Sequence, residues 1–300
     1  MGQLSTDAPV AVVTGASSGI GFAAACGLAR AGFRLVAMGR DPERISRKAD
    51  ELAKAVPESV VTWVEADFLS MQAVADAASK IADVAEKIDV LVNNAGVHRD
   101  RRVLTPDGFE ATFAVNHLAP FLLTDQLLPL LLRSDQPHVI TVSSVGHTMI
   151  EGMCWDDPHM AQDFDAFRAY CQSKLANVLF TRELARRFGS DGLIASAVHP
   201  GLVASRFPLT APPATLAYYT AAEASGEALT SEQGADTIVW LACNPGAALP
   251  SGGYFVERQR CDPAIAAQND ADAARLWLLS ERAVMAAGAA GAGETDETSV

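Results

Sequence analysis

The chain is expected to fold as an α/β protein, a Rossmann-type doubly wound parallel sheet of about seven strands with helices on both faces and a C-terminal extension. Three observations lead there. Short β-branched runs alternate with longer helical patterns as far as residue 244. The first of these runs leads into a glycine-rich turn, TGASSGIG at 14–21, that opens a helix. No linker or repeat divides the 300 residues, so 1–285 is read as one unit. Its core spans 10–256 and its extension 257–285, and the Gly/Ala-rich, then acidic tail 286–300 is expected to be disordered.

In chain order, VAVVTG (10–15) reads as a strand, GIGFAAACGLARAG (19–32) as a helix closed by glycine, and FRLVAMGR (33–40) as a second strand. DPERISRKADELAKA (41–55) has a helix start, with Asp41 before Pro42 in the first turn. VVTWVEAD (60–67) and DVLVNNAG (89–96) are further strands, separated by the helical stretch 71–87. Strand and helix in turn imply parallel pairing with both sheet faces covered. A long apolar helix region follows at 109–134, then a strand at 138–144, a helix at 169–189, a strand at 193–201 and a helix at 231–244. Segments 145–168 and 202–230 break the alternation and read as long connections at the carboxyl edge of the sheet, where open α/β folds bind ligands.

Composition excludes several classes of function. A formal charge of -13 without clustered Lys or Arg argues against nucleic acid as a partner. No run of about 18 apolar residues occurs, so no membrane span is expected, and the N-terminal residues lack a signal core, which points to a cytoplasmic protein. Cys26, Cys154, Cys171, Cys243 and Cys261 are odd in number without a CxxC pair, and read as reduced packing residues, with Cys171 beside Tyr170 as the accessible one. The six histidines show no metal-ligand spacing, and no metal site is expected.

Two features carry chemistry. In the turn 14–21, Gly15 permits a tight bend, Gly19 lets the backbone approach a diphosphate and Gly21 allows close packing of helix on sheet. The helix start then offers N–H groups and its positive dipole end, with Ser17, Ser18 and Ile20 completing the candidate phosphate loop. In YCQSK (170–174), Tyr170 and Lys174 stand one helical turn apart, so an ammonium can act on a phenol.

Six segments in order, TGASSGIG, NNAG (93–96), Asn116 in VNHLAPF, VSS (142–144), YCQSK and HPG (199–201), resemble the short-chain dehydrogenase/reductase family over residues 10 to 256. DGFEATFAVNHLAPFLLT, VSSVGH, YCQSKLANVLFTRELARR, SGGYF and the late RLWLLSE further resemble its retinol-dehydrogenase and WW-domain-oxidoreductase-like branch. The resemblance implies an oxidoreductase that moves a hydride between a nicotinamide cofactor and a carbonyl or alcohol. Tyr170 is then the general acid in reduction and base in oxidation, its pKa lowered by Lys174. Lys174 also holds the cofactor ribose, Ser144 holds the substrate oxygen, and Asn116 holds a water linking Lys174 to solvent.

Arg40, following Gly39 at the end of the second strand where NAD enzymes carry an acid, favours NADP(H) over NAD(H). The resemblance further assigns Asp67 to the adenine edge, Asn94, Ala95 and Gly96 to the adenosine ribose, and Pro200, Gly201, Val203 and Ser205 to the nicotinamide loop. Leu202, Phe207, Leu209, Leu216, Tyr218 and Tyr219 suggest a lid for a fairly large apolar substrate, with His147 and Trp155 at its entrance. The helices carrying LLTDQLLPLLL and LANVLFTRELA suggest a homo-oligomer face, while in the branch resembled a C-terminal extension often goes with monomers, so the oligomeric state stays open. A non-catalytic NADP(H)-binding sensor or scaffold, and a light-dependent protochlorophyllide-type reductase, stay open as alternative readings.

Overall fold

The computed structural model describes residues 8–204 and 211–294, with side chains described as far as 288. Seven parallel strands and one antiparallel edge strand form one sheet in the order β3-β2-β1-β4-β5-β6-β7-β8. The strands are β1 (Val10–Val13), β2 (Arg34–Gly39), β3 (Val61–Glu65), β4 (Val90–Asn93), β5 (His138–Val142), β6 (Ile194–His199), β7 (Gly253–Val256) and β8 (Gln259–Cys261). Strand order reverses between β1 and β4, the place where a doubly wound sheet opens a crevice at its carboxyl edge.

The central strands are apolar on both faces because both are covered. Val10 and Val12 face one cluster with Leu91 and Val139, and Ala11 and Val13 face the other with Val92 and Ile140. Helices α1 (Gly19–Arg30), α2 (Pro42–Ala55) and α8 (Ser231–Cys243) close the second cluster through Leu28, Leu52 and Ile238. Helices α3 (Met71–Val84), α5 (Ala119–Leu131), α6 (Ala166–Phe188) and α9 (Asp270–Glu294) close the first.

Four details depart from the sequence expectation. The apolar region at 109–134 is α4 (Ala111–Phe113), a π-helical turn (Ala114–Leu118) and α5, where Pro120 has no N–H to offer the carbonyl one turn back. Part of the connection 202–230 is helical, as α7 (Pro213–Ser225). Strand β8 follows a two-residue hairpin in which Glu257 and Arg258 both have positive φ. Helix α9 runs into the 286–300 tail as far as Glu294, where the alanines among 286–292 are strong helix formers.

The face of α5 and α6 that offered itself to a second chain is packed by α9 of the same chain. Trp277 lies 4.9 Å from Phe121 and 6.0 Å from Phe180, Arg187 sits 4.5 Å over its ring, and Ser280 bonds buried His117 at 2.7 Å.

Candidate active site

The carboxyl ends of β1 to β6 open on one cleft of about 450 Å³. At its floor the turn after β1 is held by Thr14, whose hydroxyl accepts from the amides of Asn94 and Ala95, both at 2.9 Å. Gly15 adopts φ +68°, and a Cβ there would lie 2.9 Å from Asn94 Nδ2. A Cβ on Gly21 would lie 2.4 Å from the Gly15 oxygen, so the helix can start this close to the strand only as glycine. Ser18 caps α1 in extended conformation without a side-chain bond, leaving the first amides of the helix to the cleft. Ser17, Ser18, Gly19, Ile20 and Gly21 all line it, as a phosphate-binding turn requires.

At the β2 end, a Cβ on Gly39 would meet Ile45 Cγ1 at 2.9 Å and Ser17 at 3.1 Å, so the position where a ribose-binding acid would stand is filled by neighbouring side chains. Arg40 lines the cleft and pairs loosely with Asp67 at 3.9 Å, while Asp67 accepts from the Leu69 amide at 3.1 Å. Arg44, one turn further on, lines it as well. Its recurrence four residues after Arg40 at the helix start is the signal that sequence reasoning passed over.

Asn94, Ala95 and Gly96 run along one wall, and Pro200, Gly201 and Val203 along the other, while Ser205, Phe207 and Leu209 lie outside the described residues. Of the lid residues expected from 202–230, Tyr219 on α7 faces the cleft, whereas Tyr218 is 61% exposed.

Ser143 and Ser144 end β5 in different surroundings. Ser143 is buried and donates to the Lys174 carbonyl at 2.8 Å, fastening strand to helix. Ser144 faces the cleft, its Oγ accepts from the Gly146 amide at 3.1 Å, and its hydroxyl hydrogen-bonds the Tyr170 phenol. Tyr170 and Lys174 share one face of α6, with Nζ 5.7 Å from the ring centroid. Lys174 is 4% exposed and donates to the Val142 carbonyl at 3.1 Å. Burial lowers its pKa from 10.5 to about 8.

The phenol departs from the lowered pKa expected of it. Burial raises the Tyr170 pKa above the usual value, the Tyr219 phenol adds to the rise, and the Ser144 bond opposes it. Desolvation is the largest cause, so the group is a neutral proton donor near pH 7.

Asn116 stands in the π turn, behind the cleft wall. Its Oδ1 accepts from the Val97 amide at 2.7 Å, and its Nδ2 donates to the Val97 carbonyl and to Ser173 Oγ, both at 2.9 Å. A Cβ on Gly96 would lie 3.3 Å from that Oδ1 and 3.6 Å from Lys174 Nζ, so the amide and ammonium share one small space. His98, one of the histidines without metal-ligand spacing, stands beside the phenol. Its ring stacks on Tyr170 with centroids 4.8 Å apart, and its Nε2 bonds the Ala166 carbonyl at 3.1 Å, four residues before the tyrosine.

Three further expectations change. Cys171 is buried and inert, its thiol pushed up to about 12 by burial. His147 is fully buried instead of lining an entrance, and Trp155 packs under Arg275, whose guanidinium is 4.5 Å from its ring.

One end of the cleft thus offers a donor hydroxyl, a neutral phenol and a buried amine for proton transfer at an oxygen. The other offers helix amides and two arginines to an anionic, extended ligand.

The short chain dehydrogenase family model matches residues 9–214. Human "Retinol dehydrogenase 13" is 34% identical over 289 residues, covering 91% of this chain and 83% of that protein. A protein of Streptomyces sp. (strain C5) named "Putative daunorubicin C-13 ketoreductase DnrU" is 37% identical over 277 residues, covering 91% of both. The Pseudomonas aeruginosa RhlG/NADP active-site complex superposes with a TM-score of 0.66 at 27% identity, covering 84% of this chain and 96% of that one. On fold, site geometry and these likenesses together, the chain belongs to the short-chain dehydrogenase/reductase family of oxidoreductases that act on alcohol and carbonyl groups.

Proposed function

We propose that the protein is an NADP(H)-dependent ketone or aldehyde reductase, or the corresponding alcohol dehydrogenase, for a fairly large apolar substrate, with Tyr170 as acid and base. The observation that carries this reading is the convergence of Ser144, Tyr170 and Lys174 at one end of a cleft whose other end holds Arg40 and Arg44. The cleft fits a dinucleotide phosphate: the uncapped start of α1 suits the diphosphate, the filled space at Gly39 disfavours an acid for a free ribose, and the two guanidiniums suit a 2′-phosphate. The RhlG complex was obtained with NADP.

A bound nicotinamide supplies the hydride in reduction and accepts it in oxidation. Ser144 donates to the substrate oxygen and holds it against the phenol. Tyr170 gives its proton to that oxygen as negative charge develops there. Lys174 stabilises the phenolate that results, at a distance where a buried ammonium acts strongly. Asn116 acts through position, tying the Val97 backbone to Ser173 on α6 next to the space it shares with the ammonium. In oxidation the same groups run in reverse.

Substrate size is inferred from Tyr219 on α7 and from relatives named for retinol and for daunorubicin, both bulky molecules. The test is NADPH consumption, with NADH in parallel, across retinal, steroid ketones, quinones and daunorubicin. Turnover that is faster with NADPH and vanishes in Tyr170→Phe is expected. NADPH binding without turnover of any carbonyl would favour a non-catalytic sensor.

A further inference from the structure

His147 stands three residues after the catalytic serine, in a 3-10 turn (Val145–Thr148) that Ser144 begins. Its ring is fully buried and lies 4.8 Å from that of Tyr254 on β7. Both nitrogens are used. Nδ1 stands 2.7 Å from the Ser144 carbonyl oxygen, and Nε2 stands 3.1 Å from the backbone nitrogen of Ala264. A carbonyl needs a donor and an amide N–H needs an acceptor, so the two contacts fix the neutral tautomer with its proton on Nδ1. Burial, which lowers the pKa of the imidazole, acts in the same direction.

Ala264 lies well beyond residues 9–214, at the start of the 3-10 turn Ile265–Gln268 that follows β8. One imidazole therefore spans from the serine's own peptide to the C-terminal extension, a sequence separation of 117 residues. The hydroxyl of that serine accepts from the Gly146 amide of the same turn on one lone pair, which orients it and leaves its proton for the phenol or the substrate. Any shift of the turn moves both the hydroxyl and the amide that orients it.

We propose that His147 is a positioning residue for Ser144, and that through it the C-terminal extension at Ala264 sets the aim of the serine hydroxyl. This rests on the reductase reading for its kinetic consequence, though not for the tie itself. Misplacement of a reacting group by about 1 Å can lower the rate about 100-fold, while the phosphate and ribose contacts of the cofactor lie elsewhere in the cleft. Loss of the tie should therefore lower kcat and spare cofactor affinity.

The test uses the full chain and three variants. His147→Ala removes both side-chain bonds and keeps the 3.2 Å bond from its own amide to the Ser144 carbonyl. His147→Asn keeps an amide N–H near the Nδ1 position and loses the reach to Ala264. His147→Gln reaches Ala264 with an acceptor and loses the bond to Ser144. The measurements are kcat and KM for the carbonyl turned over fastest by the wild type, NADPH affinity by fluorescence, and hydrogen exchange at the Ala264 amide. We expect His147→Ala to lose about 10- to 100-fold in kcat with NADPH affinity within about twofold. Each single-bond variant should fall between it and the wild type, and Ala264 exchange should quicken in Ala and Asn but not in Gln. A folded His147→Ala with wild-type kcat would overturn the proposal. So would equal losses of kcat and NADPH affinity, or unchanged Ala264 exchange in that variant. If the wild type turns over no carbonyl, the functional reading fails by itself, and the exchange measurement still decides whether the tie exists.

Discussion

Replacing Lys174 with methionine should abolish turnover and, at neutral pH, make the cofactor-free protein more stable. The ammonium is 4% exposed, and burial lowers its pKa from 10.5 to about 8. At about 1.4 kcal/mol per unit, holding the charge inside the fold costs about 3 kcal/mol below pH 8. Methionine loses one hydrogen bond, from Nζ to the Val142 carbonyl, which is worth about 1 kcal/mol. That carbonyl keeps a donor in Asn177 Nδ2 at 3.0 Å, so no buried acceptor is stranded. The net gain is about 2 kcal/mol at pH 7. The sign with pH follows from proton binding: between pH 8 and 10.5 the unfolded chain holds a proton on Lys174 that the folded chain has released, so wild-type stability rises through that window relative to the variant. Urea unfolding of both proteins without cofactor at pH 7 and pH 10 measures the difference at each pH. A variant less stable than wild type at pH 7, or a difference that does not shrink by pH 10, would mean that the buried ammonium carries no such cost. The gain at neutral pH would be a stability cost accepted for the site.

Other expectations concern separate parts of the molecule. Arg40→Ser should raise the KM for NADPH about 10- to 100-fold and leave that for NADH almost unchanged, the signature of a lost phosphate contact in steady-state kinetics. His98→Ala should lower kcat about 10-fold by freeing the Tyr170 ring from its stack, and His98→Phe should recover most of it; equal rates in all three proteins would show that the stack positions nothing. Trp277→Ala should cost about 3–5 kcal/mol in urea unfolding, because the ring is 6% exposed among Phe121, Phe180 and Phe188; a loss under about 1 kcal/mol would mean that α9 does not seal the α5–α6 face.

Most of the sheet and the cleft could be read from the chain because their determinants are local and recur in order. A β-branched run ends at Val13, glycines follow at 15, 19 and 21, and the tyrosine and lysine lie one turn apart, so each signal fits inside a short window. What was not legible depends on distant packing or on unusual backbone. Glu257 and Arg258 take positive φ without the glycine or asparagine that marks such a hairpin, and β8 therefore has no sequence signature. Apolar stripes on α5 and α6 look the same whether a second chain or α9 covers them. The phenol pKa is set mainly by how deeply the fold buries the ring, which residue spacing cannot give. His98 and His147 were indistinguishable from ordinary polar residues, since one contacts a ring 72 residues later in the chain and the other a backbone amide 117 residues away.

On the proposed reading, the Tyr170 phenol delivers the proton while hydride passes from the reduced cofactor to a carbonyl carbon. The most direct test of that reading is single turnover with NADPH deuterated at the transferring position, in the wild type and in Tyr170→Phe, with NADPH affinity measured in both. Deuterium is expected at the carbinol carbon of the wild-type product, with transfer at least about 100-fold slower in the variant at unchanged NADPH affinity. Transfer at the wild-type rate in Tyr170→Phe would contradict that reading.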